Sequence, residues 1–120
     1  MKIHQSAENY LETILRLSQK NTCVRAIDIA NELDFSKPSV SVAMRNLRDG
    51  GYIEIDSQGH ISLLKSGLDI AKSMYERHTT LTNWLISLGV DESIATEDAC
   101  KIEHVISKES FEAIKKSLEV

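Results

Sequence analysis

The chain has 120 residues, of which 42% are hydrophobic, 14 are basic and 18 are acidic. This length suits one domain, or one domain with a small appendage, and the acidic balance is not that of a constitutive nucleic-acid binder. No apolar run approaches the roughly 20 residues that span a bilayer, and no signal-peptide pattern opens the chain. Two cysteines, Cys23 and Cys100, are too few for a disulfide framework. We therefore expect a cytoplasmic protein with no membrane partner.

The N-terminal third reads as two helices. Ser6 is a suitable N-cap for "SAENYLETILRLSQK", in which Ala7, Leu11 and Ile14 recur at helical spacing. The segment "AIDIANEL" repeats that spacing over a shorter length. Both segments are predicted to be amphipathic helices.

A third helix and a hairpin follow. Ser36 is a suitable N-cap, Pro38 falls in the first turn where a missing N–H is harmless, and Gly50-Gly51 ends the helix. Apolar and polar residues then alternate over 53–63 around Ser57-Gln58-Gly59, which predicts a two-stranded hairpin.

The remaining chain is helical in pattern. One long helix is predicted from Ser66 to Leu88, and two more over 92–106 and 108–118, the last capped by Ser107. The predicted fold class is mainly α: a winged helix-turn-helix over residues 1–72, followed by a helical domain over 73–120.

In a winged helix-turn-helix, the second helix of the pair enters the major groove of DNA. With Val40, Met44 and Leu47 directed inward, the candidate DNA-binding residues are Ser36, Lys37, Pro38, Ser39, Ser41, Val42 and Arg45. Hydroxyls can bond phosphates or base edges, and arginine can bond guanine. Residues 1–72 carry nine basic and nine acidic side chains, so an interaction module that never touches DNA also remains open.

Three strong metal ligands stand close together in "DACKIEHVIS". Cys100, Glu103 and His104 are at i, i+3 and i+4, which would place a thiolate, a carboxylate and an imidazole on one helix face. The alternative is a small buried cysteine beside two solvated surface residues.

An apolar stripe lies in the long predicted helix. Leu81, Trp84, Leu85 and Leu88 are spaced i, i+3, i+4 and i+7. Such a stripe is typical either of a dimer interface or of an intramolecular core, and both interpretations stay open.

The order of "AENYLETI", "IANEL…SKPSVS", "YERH" and "CKIEHVIS" resembles the diphtheria-toxin-repressor family of metal-dependent transcriptional regulators. The chain is similar to the shorter members, which lack a C-terminal SH3-like domain and include manganese transport regulators. The resemblance implies a repressor of metal-ion homeostasis genes. It would bind a palindromic operator in double-stranded DNA as a homodimer, with a divalent metal ion as co-repressor between the two domains.

The resemblance also implies further ligands, namely Asn9, Glu12 and His78, beside Cys100, Glu103 and His104. The positions that match the family's ancillary site are Thr82 and Thr96, which are poor ligands. A thiolate beside imidazole and carboxylate favours Fe²⁺, with Mn²⁺ as the alternative; Zn²⁺, Co²⁺ or Ni²⁺ would also bind in vitro.

Two other functions fit the same residues. A metalloenzyme would use these ligands around an open coordination position, but no second acid–base constellation accompanies them, so we expect no enzyme. A metal-independent or redox-sensing winged-helix regulator would use Cys100 as its sensor. Chelation would leave DNA binding by that regulator intact.

Overall fold

The computed structural model describes residues 5–119 of the chain. Within that range the elements are α1 (Gln5–Lys20), α2 (Ala26–Leu33), α3 (Lys37–Asp49), β1 (Ile53–Ile55), β2 (Ile61–Leu63), α4 (Lys65–Ser87), α5 (Glu92–Ile102) and α6 (Lys108–Ser117). The chain divides into two compact units, Met1–Lys72 and Ser73–Val120, with the boundary inside α4. A mainly helical chain with one small sheet confirms the predicted fold class.

The first unit is built around the apolar faces of its helices and its hairpin. Its buried core consists of Leu11, Ile14, Leu17, Val24, Ile29, Ala30, Val40, Met44, Leu47, Ile53, Ile61 and Ala71. The inward residues predicted for α3, at positions 40, 44 and 47, are all buried. Burial of these side chains leaves the opposite face of α3 open to solvent.

A tight turn joins α2 to α3. Asp34 ends α2 in the left-handed conformation, with φ of 56°, and its N–H donates to the carbonyl of Ala30. Ser36 then caps α3 by accepting from the backbone N–H of Ser39 at 3.3 Å. A short polar residue in the left-handed turn followed by a side-chain cap fixes the angle at which α3 begins.

The two strands form an antiparallel hairpin with Ile53 opposite Leu63 and Ile55 opposite Ile61. The Asp56 carboxylate closes the hairpin turn by accepting backbone N–H groups from Gln58 and His60. Helix α2, the turn, α3 and this hairpin make a winged helix-turn-helix.

The start of α4 packs closely on the residue before β1. The Tyr52 carbonyl accepts from the N–H of Leu64, and a β carbon on Gly67 would collide with that same carbonyl. Glycine is required at position 67 because only hydrogen fits there.

The second unit has a smaller core. Leu81, Ala99 and Phe111 are buried, and Trp84, Ile102, Ile106 and Ile114 pack against them. Helix α5 ends at Ile102, whereas the sequence predicted a helix over 92–106. Residues 103–106 instead form a turn that leads to Ser107, the N-cap of α6. Within residues 5–119, no helix is both long and apolar enough to cross a bilayer.

Candidate metal centre and nucleic-acid interface

Glu103 is a buried charged residue at the end of α5. Its side chain is 0% exposed, and within residues 5–119 neither of its carboxylate oxygens accepts a hydrogen bond. Burying a carboxylate in this way is unfavourable unless a cation or a set of donors compensates for the lost water. The position is therefore a candidate ligand site.

Two imidazoles face this carboxylate. The Nδ1 atom of His78, on α4, lies 3.4 Å from Oε2 of Glu103, and Nε2 of His104 lies 3.6 Å from Oε1. The side chain of His104 is 2% exposed and that of His78 is 20% exposed. Carboxylate and imidazole are both ligand types that bind first-row divalent cations, which makes His78, Glu103 and His104 candidate ligands. We name them the carboxylate–imidazole cluster.

The turn that carries two members of this cluster is held by a side chain from α4. Nη1 of Arg77 donates to the carbonyl oxygens of Glu103, at 3.1 Å, and Ile106, at 2.9 Å. The guanidinium also lies 5.5 Å from the ring centroid of Phe111. Arg77 directly precedes His78 in "YERH", but no spacing in the sequence marks it as a partner of residues 103–106.

The other predicted ligands lie on α5 and α1. Cys100 is exposed on α5, in contrast to the buried Glu103 and His104, so the three do not share one uniform face. On α1, Glu12 is 2% exposed and its carboxylate lies 3.9 Å from Nε of Arg16. Asn9, one turn earlier, is half-buried and its backbone carbonyl accepts from Thr13.

The two threonines at the ancillary positions have separate environments. Thr96 is exposed and donates to the Glu92 carbonyl at 2.9 Å. The Thr82 hydroxyl is buried and makes no hydrogen bond within residues 5–119. Neither residue adds a charged ligand to the carboxylate–imidazole cluster.

The predicted DNA-binding residues form the outer face of α3 and its cap. Ser36, Lys37, Pro38, Ser39, Val42 and Arg45 are exposed, and Ser41 is half-buried. Val42 is 47% exposed, so its methyl groups are accessible on this face. The surface thus presents the methyl groups of Val42, the two cationic side chains Lys37 and Arg45, and three serine hydroxyls.

The predicted apolar stripe, which lies in α4 and ends at the residue after it, is divided between core and surface. Leu81 is 0% exposed, and Trp84 packs on the second unit's core. Leu85 is half-buried and Leu88 is 65% exposed. Leu81 has no surface left for a partner, whereas Leu88 does.

A winged helix with an open recognition face, and a buried carboxylate–imidazole cluster, define the class of metal-dependent transcriptional regulators. The chain belongs to the iron-dependent repressor family. Residues 2–61 match the family's N-terminal DNA-binding domain, and residues 65–120 match its metal-binding and dimerisation domain.

Two relatives illustrate the membership. An uncharacterized HTH-type transcriptional regulator of Methanocaldococcus jannaschii is 34% identical over 113 residues, covering 92% of this chain and 90% of the relative. The transcriptional regulator MntR of Escherichia coli O6:H1 is 32% identical over 108 residues, covering 90% of this chain and 70% of the relative.

Solved structures share the fold. The manganese regulator SloR superposes with a TM-score of 0.83 at 28% identity, covering 99% of this chain and 55% of that one. A manganese-dependent transcriptional repressor in complex with manganese gives a TM-score of 0.86 at 25% identity, covering 94% and 52% respectively. The chain thus spans about half the length of these two solved proteins.

Proposed function

We propose that this protein is a metal-activated DNA-binding repressor of metal-ion homeostasis genes, acting in the cytoplasm as a homodimer and not as an enzyme. The observation that carries this proposal is the buried Glu103 carboxylate, which faces two imidazoles in a chain whose recognition helix is open to solvent. Membership of the iron-dependent repressor family supports it.

His78, Glu103 and His104 would hold the metal ion. A bound divalent cation supplies the positive charge that offsets the burial of the Glu103 carboxylate. His78 comes from α4 and the other two from the turn after α5, so the three side chains bring two elements of the second unit to one point. Ligands must be deprotonated to bind, so metal affinity rises with pH.

Glu12 and Asn9 are proposed as additional ligands from α1. The support for Glu12 is a carboxylate that is 2% exposed on an otherwise ordinary amphipathic helix. Asn9 is proposed as the weaker of the two ligands because its amide oxygen carries no charge. Replacement of Glu12 by glutamine is expected to weaken Mn²⁺ binding, while the same change at the exposed Glu32 on α2 serves as the control.

We place Mn²⁺ first as the physiological ion and Fe²⁺ second. The preference for Fe²⁺ depended on the Cys100 thiolate, and that residue is exposed while the buried donors are oxygen and nitrogen. Oxygen and imidazole ligands suit Mn²⁺ as well as Fe²⁺. A Cys100→Ser variant tests this order: an unchanged ratio of Mn²⁺ to Fe²⁺ affinity supports it, and a selective loss of Fe²⁺ binding restores Cys100 as a ligand.

The outer face of α3 is proposed to read a palindromic operator in double-stranded DNA. Arg45 can bond guanine or phosphate, and the Val42 methyls can contact thymine. The N-terminus of α3, with Lys37 beside it, suits a phosphate. In a dimer, two such helices would lie about one helical turn of DNA apart.

The dimer contact is proposed to use Leu88 and Leu85 from the predicted stripe, with Leu81 and Trp84 serving the core. A large apolar side chain that is 65% exposed is a candidate for burial against a second copy. A Leu88→Asp variant is expected to sediment as a monomer at concentrations where the wild type is dimeric. If Leu88→Asp is still dimeric at those concentrations, the interface lies on a different surface.

The decisive experiment is an anaerobic titration of metal-free protein with Mn²⁺ and, separately, Fe²⁺, measured by fluorescence anisotropy of DNA from its own promoter. A gain in DNA binding that a chelator reverses and that His104→Ala abolishes supports the proposal. Glu76→Gln on α4 is the matched control, because it alters only the exposed pair between Glu76 and Lys115. DNA binding indifferent to both ions and to chelation would favour the redox-sensing regulator.

A further inference from the structure

Arg77 connects α4 to the turn that carries the carboxylate–imidazole cluster. One nitrogen, Nη1, donates to two carbonyl oxygens, those of Glu103 at 3.1 Å and Ile106 at 2.9 Å. These carbonyls are 26 and 29 residues away along the chain. Because His78 is the next residue of α4, one segment supplies both a candidate ligand and the donor that holds the other two.

The two carbonyls that Arg77 binds lie at or beyond the end of α5, in a turn where the Ile102 carbonyl also accepts from the N–H groups of Val105 and Ile106. Carbonyls at a helix C-terminus have no intrahelical partner, and a cationic donor satisfies both their hydrogen bonding and the helix dipole. The turn keeps the Glu103 and His104 side chains buried, while Val105 between Ile106 and His104 is 75% exposed. A different turn conformation would direct these side chains elsewhere.

Phe111 fixes the guanidinium from its other side. The Arg77 guanidinium carbon lies 5.5 Å from the Phe111 ring centroid, within the range of a cation–π contact. Phe111 is 3% exposed and belongs to the core of the second unit. The guanidinium is thus bound to core and backbone, which restricts its motion.

We propose that Arg77 is a positioning residue for the metal centre: it sets the backbone of residues 103–106 so that Glu103 and His104 meet His78. This inference rests on the proposed function. The sign of its effect is distinctive. A positive charge near a bound cation would by Coulomb repulsion weaken metal binding, so removing that charge alone would tighten it. Loss of the hydrogen bonds that position the ligands would instead weaken metal binding.

The test is Mn²⁺ affinity by isothermal titration calorimetry of Arg77→Met, wild type and the adjacent control Glu76→Gln. Each protein is measured at a low temperature where its circular dichroism is native. Loss of a residue that orients metal ligands typically weakens metal binding about 10- to 100-fold, and we expect this for Arg77→Met. Glu76→Gln should bind as the wild type does.

Two outcomes would overturn the inference. One is Arg77→Met binding Mn²⁺ as tightly as wild type or more tightly, even if its thermal midpoint falls, because that pattern belongs to a residue that only stabilises the fold. The other is wild type and Glu76→Gln both failing to bind Mn²⁺ or Fe²⁺, which refutes the proposed function as well. The two failures are thus distinguishable.

Arg77→Lys keeps the test available if the methionine variant does not fold. A lysine retains the charge and has enough N–H donors for both carbonyls, but its side chain is shorter, so it should reach only one of them. One lost hydrogen bond corresponds to about a 2- to 10-fold weaker Mn²⁺ affinity. Wild-type affinity in this variant would likewise overturn the inference.

Discussion

Replacing Glu103 with glutamine keeps the size of the side chain and removes its charge. Metal-free wild type must accommodate a carboxylate that is 0% exposed and accepts no hydrogen bond from residues 5–119. Burial of such a charge costs several kcal/mol, whereas a neutral amide costs less. We therefore expect metal-free Glu103→Gln to unfold at a higher temperature than metal-free wild type.

Mn²⁺ should reverse this order. A ligand at 100 times its Kd stabilises the folded state by about 2.7 kcal/mol. For a chain of 120 residues this raises the thermal midpoint by roughly 10 °C. If the variant binds 100-fold more weakly, the same Mn²⁺ concentration equals its Kd and adds only about 0.4 kcal/mol, or less than about 2 °C.

The assay is thermal unfolding by circular dichroism with and without Mn²⁺, at about pH 8, where imidazole in solution is neutral. Glu76→Gln on α4 should respond to Mn²⁺ as wild type does. The reasoning is refuted if Glu103→Gln is less stable than wild type without metal and still gains the full Mn²⁺ shift. Glu103 would then be a structural ion-pair partner of His78 and His104.

Three further predictions concern other parts of the chain. Arg45→Ala should weaken operator binding by about 1–3 kcal/mol in anisotropy while Mn²⁺ affinity stays unchanged, and equal operator binding would remove Arg45 from the interface. Gly67→Ala should lower the free energy of unfolding by about 1–3 kcal/mol in urea, because its methyl meets the Tyr52 carbonyl; full stability would refute that close approach. The Ser93 hydroxyl and N–H hold the pKa of the Asp91 carboxyl below its ordinary 3.8, so its contribution to stability is present above that pH and is lost as pH falls through the folded-state pKa. Asp91→Asn should therefore lower the thermal midpoint at neutral pH by an amount that shrinks below pH 3.8, and a constant difference would contradict this.

The winged helix was predictable because its signals are local. Ser36 and Pro38 mark the start of α3, and the alternation over 53–63 marks the hairpin; each depends on residues within a few positions. The spacing in "DACKIEHVIS" also singled out Glu103 and His104 as candidate ligands, together with Cys100 on one helix face, whereas α5 ends at Ile102 and Cys100 is exposed. Helix caps, strand alternation and ligand spacing each depend on a short segment, so they can be recognised from the sequence alone.

The end of α5 at Ile102 did not follow from the pattern over 92–106, and one contact at that end comes from a distant side chain. Arg77 donates to the carbonyl oxygens of Glu103 and Ile106, which are 26 and 29 residues away along the chain. No residue pattern within 92–106 predicts that contact. The spacing of apolar residues along a helix also does not show which of them are buried in the core and which remain exposed. The stripe of α4 therefore left Leu81 and Leu88 equivalent, although one is 0% and the other 65% exposed.

The most direct test of the central claim is an anomalous difference map at the manganese absorption edge, from crystals grown with Mn²⁺. We predict the strongest peak at the carboxylate–imidazole cluster, within coordinating distance of His78, Glu103 and His104. Peaks confined to exposed carboxylates such as Asp56, with none at Glu103, would contradict the assignment of a metal centre there.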